Sequence, residues 1–195
     1  ICGLHASPPN MPLLHKTIAL PESRDLDLFA DMLTTRGAQV LRCPLVSIHD
    51  NPDAVTVQAW LARCYDDAFE YFCVLTGEGL KRLASFAART GDEQRFIDSL
   101  KRKRLLIRGP KPARVLRAWG ISDYETALAP TTDGLIASLN AHAQQVNYWS
   151  GARVGVQLYG QEPNLKLINA LQQHCAEVDV VAPYIYASDV ETQQV

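Results

Sequence analysis

The chain has 195 residues, of which 47% are hydrophobic and 21% charged, and its formal net charge is −2. These proportions are ordinary for a soluble globular protein with one large domain or two small ones. The near-zero net charge excludes a general basic surface for nucleic acid. No apolar run approaches the roughly 18 residues that a membrane-spanning helix needs.

The cysteines and histidines indicate neither a disulfide framework nor a metal site. There are five of each, they are scattered along the chain, and no Cys-x-x-Cys pair occurs. We therefore expect reduced thiols, no metal and a cytoplasmic protein. The segment before Met11 lacks the apolar core of a signal peptide, and Met11 is interpreted as the natural start.

The beginning of the chain predicts a strand, a helix and a long extended run. Residues 17–21 form the strand, and 26–36 form the helix, with apolar residues at helical spacing on one face. Gly37 is well placed to end this helix. Residues 39–48 are extended and rich in Val, Leu and Ile, and 49–53 are predicted to turn.

The middle of the chain predicts a complete alternating α/β unit. The predicted strands cover residues 71–75, 104–107, 124–128 and 153–158. The predicted helices cover residues 54–64, 80–88, 95–101, 113–119, 134–145 and 164–174. Alternation of this kind is typical of parallel sheets covered by helices. The basic run 101–104 is interpreted as a solvated loop rather than a nucleic-acid contact.

The two ends of the chain are predicted to share one domain. A second extended run, at 178–186, follows the complete unit as the run at 39–48 precedes it. Two such runs are expected if the chain leaves the first domain along one strand and returns to it along another strand at its side. We therefore predict linker strands at 43–52 and 178–186, and a second α/β domain at 53–177. The first α/β domain is predicted from 11–42 plus 187–195, with its C-terminal part missing.

Two strand-to-helix turns in the middle unit are suited to binding anions. One is Thr76-Gly77-Glu78-Gly79, and the other is Arg108-Gly109-Pro110-Lys111. Helix N-termini present unbonded N–H groups and a partial positive charge, and Arg108 and Lys111 add full charges. Two such turns in one domain indicate a ligand with several negative charges.

These turns, in this order and spacing, resemble motifs of the uroporphyrinogen-III synthase family. The resemblance covers residues 17–190 and is carried by short motifs: Leu20-Pro21-Glu22-Ser23-Arg24, Thr76-Gly77-Glu78-Gly79, Gly109-Pro110-Lys111-Pro112-Ala113, Ala129-Pro130-Thr131-Thr132-Asp133-Gly134-Leu135 and Tyr159-Gly160. It implies two flavodoxin-like α/β domains with parallel sheets, joined by a two-stranded linker, with the first domain incomplete in this chain. Pro112 and Gly77 depart from the residues common in the family and resemble a divergent subgroup.

The resemblance also implies a reaction. A family member is a lyase of haem biosynthesis that closes the linear tetrapyrrole hydroxymethylbilane to uroporphyrinogen III, with inversion of ring D and loss of water. It uses no cofactor, and we expect no nucleic-acid or membrane partner and a monomeric protein. The alternative is a tetrapyrrole- or anion-sensing regulatory module on the same fold, fused to a DNA-binding domain, as in some members of the divergent subgroup.

The same resemblance selects the candidate site residues. Tyr184, on the return strand, is the candidate proton donor, because a phenol keeps its proton at neutral pH. The candidate substrate-binding residues are Arg24, Thr76, Gly77, Gly79, Arg108, Gly109, Lys111, Tyr159 and Gly160. Each also has a structural interpretation: Tyr184 as packing in the hinge, the glycines as tight turns, and Lys111 as a solvated charge.

Overall fold

The structure is a computed structural model. It describes residues 11–21, 25–43, 48–143, 151–160, 162–175 and 177–186. The chain divides into two compact units, of which unit 1 comprises Ile1–Ile48 with Tyr186–Val195, and unit 2 comprises His49–Ile185. The domain and linker boundaries given above stay a prediction. None of the helices in the described part of the chain has the length and hydropathy of a membrane-spanning segment.

Unit 1 contains a small parallel β-α-β arrangement. Strand β1 (Thr17–Leu20) and strand β2 (Gln39–Arg42) pair in parallel, and helix α1 (Leu26–Thr34) connects them. Within the described residues of unit 1, the buried apolar side chains are those of Ala30 and Ala38. This unit therefore has little core of its own among these residues.

Unit 2 is built on a five-stranded parallel sheet in the order β6-β5-β4-β7-β8. The strands are β4 (Tyr71–Val74), β5 (Arg104–Ile107), β6 (Glu125–Thr126), β7 (Arg153–Gln157) and β8 (Glu177–Val181). All four residues of β4 are buried, as expected for the central strand of a sheet that is covered on both faces.

In the described part of unit 2, six helices cover the two faces of this sheet. They are α2 (Ala54–Tyr65), α3 (Gly77–Ala88), α4 (Glu93–Leu100), α5 (Pro110–Ala118), α6 (Thr132–Ala143) and α7 (Leu165–Gln172). Side chains alternate along β4, so that Phe72 and Val74 join the apolar cluster under α2 to α5, whereas Tyr71 and Cys73 join the cluster under α6 and α7. The predicted α/β class with parallel sheets is confirmed.

The extended run predicted at 178–186 is two strands rather than one. Strand β8 ends at Val181, and strand β9 (Tyr184–Tyr186) pairs instead with strand β3 (Ile48–Asp50) in a separate two-stranded sheet. Pro183 lies between β8 and β9 and has no N–H to continue a ladder. Asn51 holds this junction, because its side-chain amide donates to the Ala182 carbonyl (2.7 Å) and its backbone N–H donates to the Pro183 carbonyl (3.1 Å).

An ion-pair network connects β3 to α3. Asp50 accepts hydrogen bonds from Arg89 and from Arg82 (2.6 Å), and Arg82 also donates to Glu78 (2.8 Å). Partial burial acts to raise the pKa of Asp50, but the hydrogen bonds from the two arginines outweigh burial and lower it below its ordinary value.

We expect Asp50→Asn to lower the free energy of unfolding by about 1 kcal/mol at pH 7. Because folding lowers the pKa of this carboxyl, its stabilisation is complete above the unfolded-state pKa of about 3.9 and is lost as pH falls through the lower folded-state pKa. Urea unfolding at pH 7 and near pH 3 measures this, with Asp123→Asn at an exposed position as control. An equal deficit at both pH values would contradict the prediction.

The basic run 101–104 is paired within unit 2. Lys101 contacts Asp98 (2.8 Å), and both Arg102 and Lys103 contact Asp67 (3.0 and 2.8 Å). Arg104 donates to the Tyr71 hydroxyl (2.8 Å), and the Lys103 side chain is only 1% exposed. These charges therefore anchor the start of β5 rather than forming a continuous exposed surface.

Candidate functional site

The strand order of unit 2 contains one point at which the winding of the chain reverses. From β4 the chain adds β5 and β6 on one side, and it then crosses to add β7 and β8 on the other side. In a parallel sheet, such a switch point leaves a crevice at the carboxyl ends of the two central strands, and ligands bind there. The residues at the carboxyl ends of β4 and β7 are therefore the first candidates.

Thr76 lies just beyond β4 and caps α3. Its backbone is extended (φ −142°, ψ 147°), and its hydroxyl oxygen accepts a hydrogen bond from the Gly79 N–H (2.9 Å). This cap starts the helix at Gly77, earlier than predicted. The N–H groups of Gly77 and Glu78 have no partner within the helix, since the first intrahelical bond runs from Leu80 to the Thr76 carbonyl (3.3 Å). The turn therefore presents amide donors at the carboxyl edge.

Gln157, the last residue of β7, is fully buried against this cap. Its side-chain oxygen accepts from the Thr76 N–H (2.9 Å), and its amide nitrogen donates to the Thr76 hydroxyl oxygen (3.3 Å) and to the Leu158 carbonyl. A Cβ on Gly79 would lie 2.0 Å from that nitrogen. The absence of a side chain at Gly79 is therefore what leaves room for the amide.

Tyr184, the first residue of β9, reaches the same cap. Its hydroxyl oxygen lies 3.2 Å from the Thr76 hydroxyl oxygen, and its side chain is buried, with the residue 1% exposed. The Tyr159 ring packs edge-on against the Tyr184 ring, with centroids 6.4 Å apart, and Tyr159 is 47% exposed. Tyr159 therefore covers Tyr184 on a side of the site that is open to solvent.

Arg108, directly after β5, adds a positive charge to the cluster. Its Nε–H donates to the Leu75 carbonyl (3.1 Å), and its guanidinium lies 5.5 Å from the centre of the Tyr159 ring. Within the described ranges, its two terminal nitrogens make no hydrogen bond. The backbone contact fixes the base of the guanidinium and leaves the end that can bind a carboxylate with two parallel hydrogen bonds.

The second predicted turn, at residues 108–111, offers fewer backbone N–H donors than most helix N-termini do. Helix α5 starts at Pro110, and Pro112 follows within the first turn, so two of its first positions have no N–H. Gly109 has a positive φ of 84°, which favours glycine, and Lys111 is exposed. A Cβ on Gly77 would lie 2.8 Å from the Lys111 carbonyl oxygen, so the two turns are in contact.

The structure therefore brings together most of the predicted site residues at one edge of unit 2. Those that contact one another, directly or through one neighbour, are Thr76, Gly77, Gly79, Arg108, Tyr159 and Tyr184. Gly160 directly follows Tyr159 and is buried with a positive φ of 65°, and in the described part of the chain no hydrogen bond or ion pair joins the Lys111 side chain to the cluster. Arg24 lies outside the described residues.

Sequence reasoning missed Gln157. A signal for it exists, because Gln157 is a polar residue at the carboxyl end of a strand whose other inner positions are Val154, Gly155 and Val156. A polar side chain is costly to bury unless hydrogen bonds satisfy it. Because Gln157 comes at the end of its strand, just before Tyr159, it is expected at the same edge of the sheet as Thr76.

The thiols of unit 2 are not arranged for nucleophilic or metal chemistry. Burial raises the pKa of Cys73 to about 12 and the pKa of Cys64 to about 11, so both are protonated at neutral pH. Among the residues that the structure describes, no cluster of three or more His, Cys, Asp or Glu side chains could hold a metal ion. The polar groups that the described residues bring together at the carboxyl edge are hydroxyls, amides and the Arg108 guanidinium.

Comparisons with known proteins agree with this architecture. Two structures of uroporphyrinogen III synthase from Thermus thermophilus are similar: a mutant at TM-score 0.64 and 22% identity, and the wild type at TM-score 0.56 and 23% identity. The match covers 88% of this chain and 62% of each of those chains. At this identity the similarity shows the fold.

Sequence comparison gives the family. An uncharacterized protein of Bacillus subtilis (strain 168), YjjA, is 27% identical over 172 residues, a match that covers 88% of this chain and 61% of that protein. This chain thus spans about three-fifths of the length of the relatives it matches. The family model described as "Uroporphyrinogen-III synthase HemD" matches residues 27–195. The chain therefore belongs to the uroporphyrinogen-III synthase family.

Proposed function

We propose that this protein closes hydroxymethylbilane to uroporphyrinogen III, with inversion of ring D and loss of water. The observation that carries this proposal is the hydroxyl pair of Thr76 and Tyr184 at the switch point of unit 2, with Arg108 beside it. A linear tetrapyrrole with eight carboxylates needs anion-binding groups and a proton donor at its hydroxymethyl group. This edge of the sheet offers both.

Tyr184 is the proposed proton donor. The phenol gives its proton to the hydroxymethyl oxygen, the carbon–oxygen bond breaks with both electrons going to oxygen, and water leaves. The resulting carbocation, stabilised by its pyrrole, is attacked by the substituted carbon of ring D, which gives a spiro intermediate. After rearrangement, a ring carbon loses a proton, and the phenolate takes it back, so that atoms and charge balance.

Arg108 and the first amides of α3 are the proposed carboxylate-binding groups. The guanidinium suits two-point binding of a propionate or acetate, and the Gly77 and Glu78 N–H groups lie at the positive end of α3. The Glu78 carboxylate would repel an anion, but it is paired with Arg82 (2.8 Å). The net local charge therefore favours a polyanionic ligand.

An enzyme for this reaction must select one product more than it must raise the rate, because hydroxymethylbilane also closes spontaneously without inversion of ring D. A preference of about a hundredfold for the spiro route needs a difference of about 2.8 kcal/mol between two transition states. A few charge-assisted hydrogen bonds that hold ring D in place supply a difference of that size.

The test is to give the full chain hydroxymethylbilane and to separate the product isomers. The proposal expects type III in excess over the type I product of the spontaneous reaction. Type I alone, at the rate seen without protein, would contradict it. The alternative of a sensing module expects saturable binding of the tetrapyrrole without turnover, which fluorescence titration detects.

We expect Arg108→Met to raise KM about tenfold, with a smaller effect on kcat, because one charge-assisted contact is worth about 1.5 to 3 kcal/mol. Arg117→Met is the matched control, since Arg117 lies at the other end of α5 and donates to Tyr124 (2.8 Å). Steady-state kinetics on both variants measure this. Equal KM values for the two variants would remove Arg108 from the proposed site.

A further inference from the structure

We infer that Gln157 is a positioning residue that sets the direction of the hydrogen bond between Thr76 and Tyr184. Gln157 does not touch the proposed reacting atoms. It acts through the Thr76 hydroxyl, so that Thr76 donates to Tyr184 and the phenolic proton of Tyr184 points away from Thr76. The use of the Tyr184 proton in catalysis rests on the proposed function, whereas the direction of the hydrogen bond between Thr76 and Tyr184 does not.

The orientation of the Gln157 amide is fixed by its two backbone neighbours. The oxygen faces the Thr76 N–H at 2.9 Å, and the nitrogen faces the Leu158 carbonyl. Exchanging the oxygen and the nitrogen would set two donors against each other at Thr76 and two acceptors against each other at Leu158. One orientation therefore satisfies the buried amide, and in it the second N–H points at the Thr76 hydroxyl oxygen (3.3 Å).

The hydrogen bonds of Thr76 then determine where its own proton goes. A hydroxyl oxygen accepts two hydrogen bonds and donates one. The Thr76 oxygen accepts from the Gly79 N–H (2.9 Å) and from the Gln157 amide (3.3 Å), which fills both acceptor positions. Among the described residues, two acceptors remain for its proton: the Tyr184 oxygen at 3.2 Å and the Gln157 oxygen at 3.5 Å. The nearer one is Tyr184.

This direction matters for a proton donor in two ways. First, Tyr184 accepts from Thr76, so its own proton is directed elsewhere. Second, a donor already aimed at the phenolic oxygen stabilises the negative charge that develops there when the proton leaves. Both effects are strengthened by burial, since Gln157 is 0% exposed and Tyr184 is 1% exposed.

Gln157→Glu tests the inference, since glutamate keeps the size of the side chain and an oxygen for the Thr76 N–H but removes the N–H that Thr76 accepts. In this variant we expect Tyr184 to donate to the Thr76 hydroxyl oxygen, which no longer accepts from residue 157, so that the phenolic proton points at Thr76. We expect kcat to fall about thirtyfold, with KM within twofold of the parent. Gln172→Glu, at an exposed position of α7, is the matched control and is expected to behave as the parent does.

A measurement that needs no activity gives the direction of the bond. In proton NMR spectra of the full chain, the buried Thr76 hydroxyl proton is expected to show a nuclear Overhauser effect to the Tyr184 ring protons next to its hydroxyl, and Gln157→Glu is expected to abolish it. The same contact in both proteins, or a Thr76 proton that points at Gln157 in the parent, would overturn the inference.

The two assays separate failure of the inference from failure of the proposed function. If the parent makes only type I product but shows the expected nuclear Overhauser effect, the proposed function fails and the hydrogen-bond direction stands. If the parent makes type III and folded Gln157→Glu is equally active, Gln157 has no positioning role.

Discussion

Tyr184→Phe is expected to lower kcat for formation of uroporphyrinogen III at least a hundredfold, while the spontaneous type I product still accumulates. General acid catalysis contributes about 10² to 10⁴ in rate, and phenylalanine removes the hydroxyl that would donate the proton. The ring stays, so its contact with Tyr159 (centroids 6.4 Å apart) is kept. KM should change little, because the phenol acts on the transition state rather than on the bound ground state.

The matched control is Tyr65→Phe, the same substitution at another buried tyrosine. Within the described residues, the Tyr65 hydroxyl is buried and has no hydrogen-bond partner, so its removal deletes an unsatisfied polar group. We expect unchanged kinetics and a slightly more stable protein. Isomer analysis by chromatography and urea unfolding measure the two effects.

A Tyr184→Phe protein that forms type III at the parent rate would remove Tyr184 from the mechanism. The variant must also be shown to be folded, because the hydroxyl pair contributes to stability as well. A loss of about 1 kcal/mol is expected from removal of the buried hydrogen bond between Thr76 and Tyr184. A hundredfold fall in kcat with so small a change in stability separates the catalytic effect from a structural one.

Gly79→Ala is expected to lower the free energy of unfolding of unit 2 by about 3 kcal/mol. The new Cβ would lie 2.0 Å from the amide nitrogen of Gln157, so the amide must leave its position and lose its bonds to Thr76 and Leu158. Overpacking and unsatisfied buried groups each cost about 1 to 3 kcal/mol. Ala is favoured over Gly inside a helix by about 1 kcal/mol, so helix propensity alone would make this substitution stabilising. A destabilised protein therefore points to the crowding with Gln157.

Two further variants isolate the cause. Ser85→Ala, at an exposed position of the same helix, is expected to have almost no effect. In a Gln157→Ala protein the obstructing amide is gone, so adding Gly79→Ala should cost less than about 1 kcal/mol. Trp60 is buried and Trp119 half-buried in unit 2, so tryptophan fluorescence follows its unfolding. Additive losses would show that Gly79 is required for a reason other than the amide.

The elements of unit 2 could be predicted well from local sequence. Strand β5 matches its predicted range, and β4 ends one residue before its predicted end, because each is a short apolar run bounded by turn residues. The starts of α3 and α5 were predicted three residues late. Their first turns consist of Gly, Glu, Pro and Lys, which have weak helical periodicity, whereas the Thr76 cap and the preset φ of proline start a helix there.

The individual candidates at the carboxyl edge could be found, but the hydrogen bonds that join Thr76 to Gln157 and to Tyr184 could not. Thr76, Arg108 and Tyr159 each follow a predicted strand, and parallel strands place such residues at one edge. The contact between Thr76 and Tyr184 joins residues 108 positions apart, and the contact between Thr76 and Gln157 joins residues 81 positions apart. That these residues bind substrate stays a prediction.

By itself the sequence determined the alternation of strands and helices, the capping threonine, and the glycines at the turns, because each of these depends on interactions within a few residues. The tertiary structure alone decided that β7 lies beside β4 and that the run at 178–186 divides, so that its first part joins the large sheet and its last part pairs with β3. Strand order depends on packing between segments that are distant in the chain, and no local preference encodes it. That packing is what places a buried amide, a threonine hydroxyl and a phenol in one hydrogen-bonded group.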